Sequence, residues 1–262
     1  MVTTDRTVLR TEQYADSRNL MARVSLHARF GVGPMPWFDW VFDRLPRVEA
    51  ARVLEVGCGG GLLWQHTADR IPPAWDLLFS DLSDGMVAEA TAAVPRARGI
   101  VADVASLPLR DAAVDVAVAN HMLYHVPDVP RAVHELRRVL RATGTLVAAT
   151  NGRQHMAEVF EIEHDALPDL YPRSRRTRLG FAVENGEELL RRSFGDVVRH
   201  DFQDGLRVDE VEPLVDYIGS MSPRRLTDDE LERIAAVVRR RLAGGPIRIT
   251  KQTSLFVARR HH

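Results

Sequence analysis

The residues best suited to chemistry lie in a glycine-rich turn, Val56-Gly57-Cys58-Gly59-Gly60-Gly61. This turn follows a short apolar run, 51–56, and that order predicts a buried strand entering a tight turn. Such a turn lets backbone N–H groups approach a ligand at the start of the next helix. Its spacing is G-x-G-x-G, whereas a dinucleotide-binding turn would carry its third glycine at Leu62, so a pyrophosphate ligand is disfavoured. Taken alone, the turn is equally compatible with a structural role.

Two aspartates downstream of the turn add hydrogen-bond acceptors at the ends of the next strands. Asp81 follows an apolar run 24 residues after Gly57, where a carboxylate can bind both hydroxyls of a ribose. Asp103 closes the run after that one. Either aspartate alone could be a helix N-cap or a turn residue. Because both close a strand downstream of the glycine turn, we favour a nucleoside site over two separate caps.

Strands and helices alternate through the centre of the chain, which predicts an α/β fold with a mostly parallel sheet. Apolar runs predict strands at 51–56, 75–79, 98–102, 114–119 and 145–150, and helical spacing predicts helices at 62–70, 83–93 and 129–140. Ser83 is expected to cap the second of these helices, and Gly144 is expected to end the third. Beyond them we predict a helix at 184–193, a strand at 197–202, helices at 209–220 and 227–242, and a final strand at 247–258. The helix at 227–242 opens with a capping box, Thr227 to Glu230.

Composition excludes several classes of protein. A net charge of −1 over 262 residues disfavours a dedicated nucleic-acid-binding protein. No apolar run approaches the ~20 residues of a membrane span, and the N-terminus lacks a signal-peptide pattern. Cys58 is the only cysteine, which rules out an internal disulfide and fits a reducing compartment, so we expect a cytoplasmic protein without a metal site. Lys251 is the only lysine, a bias that we attribute to genome composition.

Residues 50–151 carry, in order, motifs that resemble those of class I S-adenosylmethionine-dependent methyltransferases. The matching segments are Val53 to Gly61, Ser80 to Ser83 with Met86, Ala102 to Val104 followed by Leu107-Pro108, Asp115 to Asn120, His121 to Asp128, and Leu136 to Thr145. The resemblance implies a Rossmann-like sheet of seven strands, mostly parallel, with the last strand antiparallel. It also implies S-adenosyl-L-methionine as cofactor, S-adenosyl-L-homocysteine as product and a small-molecule acceptor.

The same resemblance implies which residues contact the cofactor. The methionine part would be held by Gly57, Cys58, Gly59 and Gly61, with Glu55 supporting the turn. The ribose would be bound by Asp81, and the adenine by Leu82, Met86, Asp103 and Val104. The sulfonium would lie beside Asn120 and His121. No motif fixes the partner of the cofactor carboxylate, and the candidates in the first segment are Tyr14, Arg23 and Arg29.

The acceptor pocket is expected in the flanks, because the central motifs are occupied by cofactor. We predict a helical segment or lid at 1–50, and a core at 51–262 with cap insertions near 152–183 and 205–245. Candidate acceptor contacts are Trp37, Tyr124, His155, Phe160 and Tyr171, which would suit an aromatic or secondary-metabolite acceptor methylated on O, N or C. His121 and His125 are candidate catalytic bases, and on a helix their i, i+4 spacing would place them on one face. His125 could equally bond only backbone.

Alternative functions remain open at this point. An NAD(P)-dependent Rossmann oxidoreductase would share the glycine turn and Asp81, but Leu62 and Asp103 count against it. A non-catalytic protein could keep the fold and bind the cofactor without methyl transfer. A methyltransferase acting on RNA or protein is a further alternative, and the near-neutral charge disfavours RNA as the acceptor without excluding it. We expect neither a nucleic-acid nor a membrane partner, and either a monomer or a homodimer.

Overall fold

The protein is built around one seven-stranded sheet, and the computed structural model describes residues 4, 5, 7, 18–173 and 179–260. The strands are β1 Ala51–Val56, β2 Trp75–Asp81, β3 Arg98–Val101, β4 Val114–Asn120, β5 Leu140–Asn151, β6 Asp196–Phe202, β7 Gly205–Val208, β8 Ile247–Thr250 and β9 Thr253–Arg259. The helices are α1 Arg18–Phe30, α2 Trp37–Phe42, α3 Leu62–His66, α4 Asp84–Ala93, α5 Val129–Val139, α6 Ala157–Ala166, α7 Gly186–Arg191, α8 Glu212–Met221 and α9 Asp228–Leu242.

The strand order of the main sheet is β3-β2-β1-β4-β5-β9-β6. The first five strands are parallel neighbours, and β9 inserts antiparallel between β5 and β6. This topology confirms the predicted Rossmann-like sheet with an antiparallel last strand. The order reverses between β1 and β4, and ligands of open α/β sheets bind at the carboxyl ends of the strands flanking such a switch point. Asn120 ends β4, and Asp81 ends β2, the other neighbour of β1.

Both faces of the sheet are covered, which explains why its central strands are apolar along almost their whole length. On one face, Leu54 and Val56 of β1 join a cluster that includes Leu136 of α5 and Leu190 of α7. On the other face, alternate residues of the same strand pack against α2, α3 and α4, as Val53 does in the cluster of Trp40, Trp64 and Ala90.

A second body of structure, called the cap below, covers the carboxyl edge of this sheet. It consists of α1, α6, α8, α9 and a two-stranded antiparallel sheet of β7 and β8. Its apolar core includes Leu26 of α1, Ile162 of α6, Ile218 of α8 and Ile234 of α9. Elements from both ends of the chain therefore build one cap, and helix α1 is an integral part of it.

The final predicted strand, 247–258, is wrong as a single element. It is interrupted at Lys251-Gln252, so that β8 pairs with β7 in the cap while β9 enters the main sheet. A continuous apolar pattern does not show that its two halves belong to different sheets. The break brings Lys251 to the junction between cap and sheet.

Two helix predictions also need correction. Helix α5 ends at Val139, and Gly144 lies inside β5, because that strand begins at Leu140 with an irregular register opposite Val114 and Val116. The predicted helix 62–70 divides into α3 and a 3-10 turn, Ala68–Arg70, at the Thr67 hydroxyl, which donates to the Leu63 carbonyl at 2.8 Å.

The two predicted N-caps are confirmed. The Ser83 hydroxyl accepts from the Met86 N–H at 3.3 Å at the start of α4. At the start of α9, Thr227 and Glu230 exchange hydrogen bonds in a complete capping box. No helix in the described part of the chain is both long and apolar enough to cross a bilayer.

Candidate active site

A cavity of about 1580 Å³ opens between the carboxyl edge of the sheet and the cap. The glycine turn and the segments after β2, β3 and β4 form its sheet side. Its cap side comes from α1, α6, α8 and the Lys251 segment. Most of the predicted site residues line this one cavity: Glu55, Gly57, Cys58, Gly59, Asp81, Leu82, Asp103, Val104, Asn120, His121, Tyr124, His125, Arg23, Trp37, His155 and Phe160.

The glycine turn adopts a backbone that ordinary side chains rarely reach. Gly57, Gly59 and Gly61 have φ of +61°, +51° and +76°. A Cβ atom on Gly57 would lie 2.6 Å from the Cβ atom of Met122, so the turn and the segment after β4 approach as closely as glycine allows. Gly61 instead faces Ala90 of α4, where an added Cβ atom would lie 3.2 Å from the Ala90 Cβ. Gly61 therefore allows close packing against α4, and for this reason it does not line the cavity.

Asp81 is held in a fixed orientation at the end of β2. One carboxylate oxygen accepts from the Gly59 N–H and the other from the Ser83 N–H, both at 3.0 Å. Burial raises the pKa of this carboxyl group, and the backbone N–H groups of Ser83, Gly59 and Leu82 oppose that rise. A carboxylate offers about four lone-pair sites, so acceptor capacity remains for a ligand. Asp103, after β3, accepts from the Ala105 N–H at 3.0 Å and lines the same cavity.

Glu55 lies in β1, next to the glycine turn. It is a buried acid, 3% exposed, whose Oε2 accepts from the Trp64 indole N–H at 2.6 Å. Burial raises its pKa to about 8, with a further contribution from the nearby Asp81 charge, while the Trp64 hydrogen bond acts in the opposite direction. Glu55 is therefore mostly protonated at neutral pH. Burial likewise raises the pKa of the Cys58 thiol, so this cysteine is not an activated nucleophile.

We expect Glu55→Gln to gain stability relative to the parent chain as pH rises. The folded state keeps a proton that the unfolded state releases above its ordinary pKa of 4.5, so the parent loses stability between that pH and about 8. Glutamine does not titrate, and the free energy of unfolding should rise by about 1–2 kcal/mol over the parent across this interval, within the limit of about 1.4 kcal/mol per pKa unit. Urea unfolding at acidic and at mildly alkaline pH measures the difference. The exposed Glu49→Gln is the control, and the same pH trend in both variants would contradict the assignment.

The predicted catalytic histidines do not share a helix face. His121 ends the β4 segment in a left-handed conformation, φ +57°, and its ring lies 5.0 Å from that of Trp37. His125 closes the 3-10 turn Leu123–His125 and lies 4.7 Å from the Tyr124 ring. Burial lowers the pKa of His121 to about 3, and the positive charge of Lys251 adds to this effect. A non-glycine residue in a strained conformation is maintained by its surroundings, and such residues cluster at functional sites.

Several predicted contacts lie away from the cavity wall. Met86 is fully buried in α4, and Tyr171 is buried in the cap core. Arg29 points outward and pairs with Glu210 at 2.8 Å, with half of its side chain exposed. Tyr14 lies outside the described residues. Of the candidates for the cofactor carboxylate, Arg23 lines the cavity, and its guanidinium donates to the Ser220 carbonyl at 2.5 Å.

Sequence reasoning missed three residues that line the cap side of the cavity. His27 is on the inner face of α1, and Asp204 and Lys251 form an ion pair in which each side chain is less than 10% exposed. Asp204 also accepts from the Val32 and Gly33 N–H groups, at 3.1 and 2.7 Å. The one signal for this site was that Lys251 is the chain's only lysine. No group of three or more potential metal ligands occurs within the described ranges.

Comparisons with known proteins agree with this architecture. Residues 54–148 match the methyltransferase domain family. A probable S-adenosylmethionine-dependent methyltransferase of Mycobacterium tuberculosis is 40% identical over 122 residues, which cover 45% of this chain and 43% of that protein. The trans-aconitate 2-methyltransferase of Variovorax paradoxus is 37% identical over 103 residues, 39% of each chain.

The chain therefore spans less than half the length of these curated relatives. Over the whole fold, the crystal structure of the 4+2 cyclase SpnF is similar, with a TM-score of 0.61 and 19% identity over 98% of this chain and 97% of that one. At this identity the likeness concerns the fold alone. Strand order, the ordered motifs of β1 to β5 and the family match over residues 54–148 together support a class I, Rossmann-like S-adenosylmethionine-dependent methyltransferase domain.

Proposed function

We propose that the chain transfers the methyl group of S-adenosyl-L-methionine to a small acceptor bound under the cap. The observation that carries the proposal is one continuous cavity joining the glycine turn and Asp81 to a wall of cap residues. Its volume of about 1580 Å³ exceeds the ~300–1,000 Å³ of an ordinary ligand pocket. The cavity therefore has room for the cofactor and a second small molecule side by side.

The residues on the sheet side fit the cofactor. The remaining acceptor capacity of Asp81 suits a ribose hydroxyl, and we assign Asp103 and Val104, which line the same cavity, to adenine. Gly57 and Gly59 leave backbone exposed to the methionine part. When bound, the cofactor supplies an electrophilic methyl group on a cationic sulfur. The buried Asn120 Oδ1 has no hydrogen-bond partner in the described part of the protein, and we assign this atom to the cofactor end of the cavity.

The acceptor end is walled by aromatic rings and closed by the cap. Trp37, Phe38, Tyr124 and Phe160 line it, which suits a flat, partly apolar acceptor. Excluding water from this region favours methyl transfer, because the transition state disperses charge and depends on positioning. We assign His121 to orienting the acceptor, since its ring packs against Trp37 at the boundary between the two ends.

A second candidate function is binding of the same cofactor without methyl transfer. The likeness to a 4+2 cyclase over nearly the whole chain favours it, because that likeness shows the fold serving another reaction. The two functions differ only in what happens at the acceptor end, so a test of cofactor binding does not separate them.

Two measurements test the proposal in order. Calorimetry should show S-adenosyl-L-homocysteine binding and no binding of NADPH, and Arg29→Ala should leave the affinity unchanged because that residue is outside the cavity. Incubation with methyl-labelled cofactor and a metabolite panel, with total RNA as a separate arm, should then place label in a small molecule. Failure to bind S-adenosyl-L-homocysteine would overturn the whole proposal. Label in RNA alone would overturn the small-molecule acceptor.

A further inference from the structure

Four basic side chains line the acceptor end of the cavity, and they are called the basic cluster below. They are His27 of α1, His121 after β4, His155 after β5, and Lys251 between β8 and β9. Four separate parts of the chain thus bring one basic group each to the same wall. Of these four side chains, only His121 has a role in the function proposed above.

The imidazoles of the cluster are close together and incompletely hydrogen-bonded. The His27 and His155 rings lie 6.1 Å apart, and the Tyr217 ring lies 5.9 Å from His27. The Nδ1 atoms of His27 and His121 are buried without a hydrogen-bond partner in the described structure, whereas His155 Nδ1 lies 3.4 Å from the Thr253 hydroxyl. Buried polar atoms are nearly always paired, so two unpaired ring nitrogens in one cavity wall call for a functional explanation.

Lys251 brings a positive charge to this end of the cavity. Its charge lowers the pKa of all three histidines, in addition to the larger effect of burial. Its partner Asp204 opposes this effect only at His27, where its contribution is the smallest, and two backbone N–H groups also donate to that carboxylate. His121 lowers the pKa of His27, both of these histidines lower the pKa of His155, and His125 lowers the pKa of His121.

Besides Asp204 and the acids of the sheet side, two further acids and one further base line the cavity. The acids are Glu163 of α6 and Asp5, and neither is among the groups that shift the pKa of the three histidines. The base is Arg23 of α1, whose guanidinium donates to the Ser220 carbonyl. The cap end therefore disfavours a cationic ligand and favours an anionic one.

We propose that the basic cluster binds an anionic oxygen group of the methyl acceptor, either a carboxylate or an ionised phenol. The proposal rests on the proposed function, because it places this group next to the cofactor. Neutral imidazoles can remain buried until the ligand arrives, and an anion then favours their protonated, hydrogen-bond-donating form. Binding is therefore coupled to proton uptake by the cluster.

The first test uses three probes on protein saturated with S-adenosyl-L-homocysteine. Benzoate represents a carboxylate, 4-nitrophenolate an ionised phenol, and benzamide a neutral molecule of nearly the same shape as benzoate. Calorimetry in Bis-Tris and in Tris, two amine buffers that differ in ionisation enthalpy and carry no oxygen anion, gives both the affinity and the number of protons taken up. We expect at least one anion to bind about tenfold tighter than benzamide with net proton uptake. Equal affinities, or no binding of either anion, would overturn the proposal.

The second test uses variants with opposite expected signs. Lys251→Gln removes the positive charge and should weaken anion binding about tenfold, and Lys251→Arg should restore it. Asp204→Asn keeps an oxygen for the Val32 and Gly33 N–H groups but removes the opposing charge, so it should strengthen anion binding. A merely structural ion pair would make both Lys251→Gln and Asp204→Asn weaken binding, which would overturn the proposal.

The matched control is His134→Gln, an exposed histidine of α5 that does not line the cavity and should leave anion affinity unchanged. Affinity for S-adenosyl-L-homocysteine is measured on every variant. If the parent chain fails to bind it, the proposed function fails. If it binds normally but the anions do not discriminate, only the basic-cluster proposal fails.

Discussion

Replacing Gly57 by alanine is expected to reduce the affinity for S-adenosyl-L-homocysteine by at least about 100-fold, which is about 2.7 kcal/mol. Two independent effects add. The residue has φ +61°, a conformation that costs a side chain about 1–2 kcal/mol. In addition, the new methyl group would lie 2.6 Å from Met122 Cβ and 2.8 Å from Met122 Cγ. Because Cβ is fixed to the backbone, relief requires the turn or the segment after β4 to move.

The control for this variant is Gly245→Ala. Gly245 also has a positive φ, +109°, but nothing lies within 4 Å of its added Cβ atom, and it is at the end of α9 outside the cavity lining. It shares the backbone cost without the overlap, so its thermal stability should fall while its cofactor affinity stays unchanged. Calorimetry and thermal unfolding together separate the two. Normal cofactor affinity in Gly57→Ala would contradict the placement of this turn against the ligand.

The sequence was sufficient for the sheet, and for the residues that its carboxyl edge brings to the cavity, because their signals are local. An apolar run followed by glycine, or by an aspartate such as Asp81, marks a strand and its carboxyl end. Parallel neighbours then bring those ends to one edge. Helix caps such as Ser83 are equally local, since side chain and backbone partner are three residues apart.

The cap could not be predicted in the same way, because its contacts join distant parts of the chain. Arg23 meets Ser220 across 197 residues, and Asp204 meets Lys251 across 47. Spacing does not reveal such pairs. Genome composition explains why lysine is rare in this chain, but it does not explain why the single lysine lies at the break between β8 and β9.

Side-chain direction accounts for the remaining differences at the site. Met86 lies in the α4 helix that follows β2, as the motif places it, but its side chain points into the core rather than the cavity. Arg29 is two residues from His27 on α1, and on a helix residues two apart do not share a face. One therefore lines the cavity and the other pairs with Glu210 outside it.

Asp81→Ala is expected to weaken binding of S-adenosyl-L-homocysteine by ~1–3 kcal/mol, or about 5- to 150-fold, the usual cost of leaving buried polar partners unpaired. The substitution removes the acceptor capacity proposed for the ribose. It also removes the acceptor of the Gly59 and Ser83 N–H groups, which hold the glycine turn and the start of α4. Asp81→Asn keeps one carbonyl oxygen and the side-chain volume, so it should lose less affinity than the alanine variant.

The pH dependence of affinity distinguishes the carboxylate from a passive packing residue at this position. Burial raises the pKa of Asp81, so its ionised fraction falls as the solution is acidified from neutral pH, sooner than for an ordinary aspartate. The protonated form has lost acceptor capacity, and the parent chain should therefore lose cofactor affinity on acidification. Asp81→Asn lacks this titration and should show a flatter profile. Parallel profiles for parent and Asp81→Asn, or an unchanged affinity in Asp81→Ala, would show that the ribose is bound elsewhere.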